Sequence, residues 1–70
     1  MLSKEKKISI IHSHLENQDV NRYNLELSLI EETSRITQDP EIIARLSVQI
    51  ADIDKKISSL NEELQKVEQE

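Results

Sequence analysis

The second half of the chain carries one amphipathic stripe. Ile43, Leu46, Ile50, Ile53, Ile57, Leu60, Leu64 and Val67 succeed one another at alternating steps of three and four. That is the a/d repeat of a helix burying one narrow seam. Its start is marked as well. Asp39 suits an N-cap, its carboxylate accepting from free N–H groups of the first turn. Pro40 then holds the first helical position, where its fixed φ helps and its missing N–H costs little. Glu41 meets the positive end of the helix dipole. The spacing predicts a helix from Pro40 to about Glu68, roughly 43 Å long at 1.5 Å per residue. Acids stand four residues ahead of bases at Glu41/Arg45, Asp52/Lys56 and Glu62/Lys66, which reads as a solvated face.

The first half is less regular. A heptad reading runs Ile8, Ile11, Leu15, Gln18, Arg22, Leu25, Leu29, Glu32, Ile36, so three of nine seam positions are polar. Val20, Tyr23, Leu27 and Ile30 form a second stripe with 3,4,3 spacing, nearly opposite the first. Either one long helix has two apolar faces, or the chain breaks near Asn17-Gln18-Asp19 and restarts with Asp19 as cap. No Gly or Pro stands there, and the breaker rules favour the continuous helix. Ser3 is the candidate cap of its start, although Lys4, Lys6 and Lys7 oppose the dipole and favour fraying. The residue before a proline avoids the α region, so this helix is expected to end near Thr37. The predicted organisation is a single domain over 1–70: helix 4–37, turn 38–39, helix 40–68.

A turn this short forces the helices antiparallel, an all-α, coiled-coil-like helical hairpin. Folding about Gln38 brings Leu29 near Val48, Leu25 near Asp52–Ile53, and Leu15 near Glu62–Leu64. One seam is little apolar surface against the entropy of ordering a whole chain, so a lone hairpin is expected to be marginal. Ala44, Val48 and Ala51 also lie off the second helix's seam. The expected remedy is a dimeric four-helix bundle or a helical partner protein, docked through Val20, Tyr23, Leu27, Ile30, Ala44, Val48 and Ala51. Tyr23, the one aromatic residue, is either the hot spot of that contact or a packing residue with a hydrated hydroxyl. Gln18, Arg22 and Glu32 either set register from inside the seam or lean outward while the seam drifts.

Composition narrows the chemistry. The chain has 70 residues, a net charge of −5, no Cys and no Gly. Disulfides, thiolate metal sites and Gly-rich phosphate cradles are excluded, and the acidic balance argues against bulk nucleic-acid binding. No apolar run reaches the length of a membrane span, and the first residues lack an apolar signal core, so a cytoplasmic protein is expected. The cluster Lys4, Lys6, Lys7 falls short of a lipid-binding patch and reads as a solubilising terminus. His12 and His14 are two residues apart and point about 160° away from each other on a helix, unable to share a metal. The same geometry separates Asp52 from Asp54. Ser13 lies between the histidines without triad geometry. No catalytic, cofactor-binding or metal residues are assigned.

Two resemblances follow from the turn. A long helix, Gln38-Asp39-Pro40 and a heptad helix in about seventy residues resembles the small helical-hairpin chaperones of type III secretion needle subunits. That likeness, in architecture and turn residues, implies pairing with a larger helical co-chaperone and masking of an aggregation-prone subunit. Asp39-Pro40-Glu41-Ile42-Ile43 leading to Leu46-Ser47 is also similar to small sporulation phosphatases acting on response regulators. Those hairpins present Ser-Gln-Glu-Leu-Asp on the second helix. Here Ser47-Val48-Gln49-Ile50-Ala51-Asp52 moves the acid round the helix, which leaves a role for Gln49 or Asp52 without its motif. The expected function is non-catalytic protein binding by helix–helix association, as adaptor, small chaperone or assembly factor. The alternatives are a phosphatase-like regulator of a response regulator and a phage or coiled-coil structural component.

Overall fold

A computed structural model describes residues 1–70. It holds two helices, α1 over Lys4–Thr33 and α2 over Pro40–Glu68, packed along their lengths. Together they form a rod of 53 × 15 × 15 Å with no strand. Arg22 pairs with Asp54, and Lys7 with Glu70, so the helices run antiparallel. Both pairs fall within about a residue of the levels that folding about Gln38 predicts. The fold is the expected all-α hairpin.

α1 passes through Asn17-Gln18-Asp19 without a break. Each residue there has its N–H to donate, and Gln18 keeps its seam position, half-buried. Ser3 caps the start, its hydroxyl accepting from the Lys6 N–H at 3.1 Å. The helix runs from Lys4 through all three lysines. Lys7 Nζ lies 3.1 Å from Glu70 Oε1, and Lys4 Nζ donates to the Glu70 carbonyl at 3.5 Å. The positive start of α1 is thereby set against the acidic end of α2.

α1 ends at Thr33, four residues before Thr37, and the connection is six residues, 34–39, instead of two. A proline restricts only its immediate predecessor, whereas the chain must also cross an interhelical gap of about 8–10 Å. The side chains that end α1 lie within it and just past it. Gln38 Nε2 donates to the Thr33 carbonyl at 2.6 Å, and the Glu32 carboxylate accepts from the Asp39 N–H at 2.9 Å. Ile36 consequently sits in the loop, fully exposed, and is not a seam residue.

The buried apolar residues are Ile11, Leu46, Ile53 and Val67. All eight seam positions of α2 are buried or half-buried, as are the first eight of α1. At about 2 kcal/mol for each fully buried large apolar side chain, this single line carries the hydrophobic stabilisation of the hairpin. The polar seam positions have not drifted outward. Arg22 Nε and Nη2 donate to the two carboxylate oxygens of Asp54 at 2.6 and 3.3 Å, and Arg22 Nη1 donates to Glu26.

Candidate protein-binding surface

The surface is built by helical periodicity. At about 100° per residue, the stripe Val20, Tyr23, Leu27, Ile30 sits roughly 150° from the seam of α1. Ala44, Val48 and Ala51 stand at a similar angle from the seam of α2. Once the seams face each other, both stripes must face outward. The structure places all seven residues on the surface: Tyr23 is 60% exposed, Val48 68%, and Val20, Leu27, Ile30, Ala44 and Ala51 are exposed as well. The two stripes lie on opposite flanks of the rod and do not merge into one groove.

Such exposure is more than a scatter of single apolar residues. The chain presents 5415 Å² to solvent, whereas a compact monomer of this mass exposes about 4,500 Å². Its radius of gyration is 16.2 Å, against about 11 Å for a globular chain of this length. Only 5 of 70 residues are buried, and one of these is Glu32. A single interface between two helices leaves more than half of each helix's circumference uncovered.

The electrostatics of the rod are organised at three points. At the loop, Glu32 is 7% exposed and accepts from the Asp39 N–H and from Arg35 Nη1 at 3.1 and 3.2 Å. The backbone hydrogen bond from Asp39, then the one from Arg35, holds its carboxyl below the usual glutamate range. Midway, the hydrogen bond from Arg22 lowers the Asp54 carboxyl and raises the guanidinium in turn. The third point is the closure of the termini by Lys7 and Glu70. The heptad marked Glu32 and Arg22 as polar seam positions, candidates for setting register, but not their partners, which lie 7 and 32 residues away in sequence.

The polar concavities are shallow. His14, Gln18, Asp52, Lys55, Lys56, Ser59 and Leu60 line an open groove. His12 is exposed on another face. Gln49 and Asp52 share a second open groove with Leu25, Val48, Ile53 and Lys56, and the Asp52 carboxylate is 3.2 Å from Lys56 Nζ. No three His, Asp or Glu side chains are gathered as a metal site would need, and no helix is long and apolar enough to cross a membrane. No family model, curated protein or solved structure matches this chain.

Proposed function

We propose that the protein is a non-catalytic binding module that works by helix–helix association, as an adaptor, small chaperone or assembly factor. The observation that carries this reading is the outward stripe of Val20, Tyr23, Leu27 and Ile30 on a rod whose own packing is complete without it. Rigid aromatic and aliphatic side chains on one helix face are what another amphipathic helix covers, through anchors at i, i+3, i+4 and i+7 spacing. The likeness to the hairpin chaperones of secretion needle subunits agrees with such a role, since those also act by covering helical surface. The hairpin supplies a stiff support, and the stripe supplies the free energy of association.

The test is a photo-reactive residue at Tyr23 of the full chain in its native cells, with a second placed at Asn21, exposed on a flank of α1 away from both stripes, as control. Adduct formation with a polypeptide at Tyr23, absent at Asn21 and abolished by Leu27→Asp, is the expected result. Equal labelling at both positions, or none at Tyr23, overturns the reading.

A further inference from the structure

The two outward faces of this hairpin complement each other, and we propose that the outer face of α1 docks on the outer face of α2 of a second copy. This rests on the reading of the stripe as an association surface and names its occupant. The first argument is charge. Glu16, Asp19 and Glu31 border the stripe of α1, all exposed and all outside the ion pairs of the chain. Lys55 continues the stripe of α2 by one turn and Arg45 flanks it, again exposed and outside those ion pairs; the opposing charges are Glu41 and Glu62, beyond either end of this stretch, and Asp52, which Lys56 holds at 3.2 Å. From Arg45 to Lys55 the free charges of the α2 face are basic and those bordering the α1 stripe are acidic, the arrangement that draws unlike surfaces together and keeps like ones apart.

The second argument is shape. α1 offers Val20, Tyr23, Leu27 and Ile30, while α2 offers two alanines around Val48. Small residues at a contact let the opposing helix come close, and larger ones fill the space between.

The third is level along the rod. The pairs Arg22–Asp54 and Lys7–Glu70 gauge which residues of α1 and α2 share a height. On that gauge Glu31 stands level with Arg45, Ile30 between Ala44 and Val48, Leu27 within two residues of Val48, and Tyr23 between Ala51 and Lys55. Asp19 is within one turn of Lys55. Two hairpins set side by side in the same orientation, without sliding, therefore bring α1 of one antiparallel to α2 of the next with apolar and charged positions both matched. The contact joins unlike patches, so each added copy leaves one of each free, and assembly continues past two.

The experiment is light scattering on purified full chains over a range of concentrations. Wild type is expected to rise past twice the mass of one chain. Leu27→Asp, with its α1 face blocked, and Val48→Asp, with its α2 face blocked, should each remain single chains. An equimolar mixture of the two has one good contact left and should stop at a pair. Glu31→Arg and Arg45→Glu, exposed changes that leave the hairpin seam untouched, provide a second arm. Each alone should weaken assembly, and mixing them should restore growth beyond a pair. A wild type that stays a single chain throughout overturns the proposal. So does either blocked variant assembling as wild type does, or a mixture that stays unpaired while wild type assembles. If self-assembly fails while Tyr23 still gives its specific adduct with another polypeptide in cells, the binding reading stands and the second copy is wrong as occupant.

Discussion

Glu32 is where a single residue does most to shape the hairpin. Its position in the heptad suggests an interruption, yet its carboxylate holds the loop against the end of α1 by taking the Asp39 N–H and Arg35. Because the folded state lowers its pKa, its stabilising contribution is complete above the usual glutamate value of about 4.3 and is lost as pH falls through the lowered value. Glu32→Gln should therefore melt at a lower temperature than wild type at neutral pH, and the difference should shrink on acidification. Thermal scans by circular dichroism at several pH values check this; a difference independent of pH would remove the charge from the account. Arg22 makes the opposite case. Its pairing with Asp54 orients the two helices, but an apolar residue there would extend the seam. Arg22→Leu should raise the melting temperature while loosening register, since Asp54 is half-exposed and remains hydrated without its partner. A lower melting temperature would make the ion pair a net source of stability.

The two helices differ in how openly they declare themselves. α2 has a clean heptad, a cap and a proline at its start, and it begins and ends where those signals place it. Asp39 accepts from the Glu41 N–H at 2.9 Å. Asp39→Ala should cost about 1 kcal/mol, read from denaturant unfolding. Seam and stripe separate cleanly by substitution. Ile53→Ala removes a buried anchor and should cost about 2–5 kcal/mol, enough to unfold so small a hairpin. Leu27→Ala, on the exposed stripe, should change the stability of dilute chain by no more than about 0.5 kcal/mol while reducing association. Equal losses at the two positions would mean that the stripe serves the hairpin itself. α1 carries two such faces, and its heptad reading already named the one that packs on α2. The line from Ile8 to Glu32 is buried or half-buried against α2, as that reading has it, and only Ile36 drops out.

At the scale of the whole molecule, the decisive quantity is surface. A rod of two helices has too little interior to hide its apolar residues, and association is the physical remedy for a chain of this length and shape. If copies or partners bind the folded hairpin alone, mass action stabilises it, so the wild-type melting temperature should climb with chain concentration. Leu27→Asp should abolish that dependence. A melting temperature indifferent to concentration would show a hairpin that stands alone.

The residue pattern was sufficient for the all-helical architecture, the antiparallel course, the start of α2, the members of the α2 seam and the stripe left over. These follow from local geometry, because the helical period assigns each side chain an azimuth before any partner is present. The end of α1, the six-residue loop and the duties of Glu32, Gln38 and Arg22 were settled in three dimensions. Each depends on a polar group meeting another that is remote in sequence or across the loop, and periodicity does not encode such meetings. The matching levels of Glu31 with Arg45 and Leu27 with Val48 belong there too, since only the packed register of the two helices decides which residues share a height.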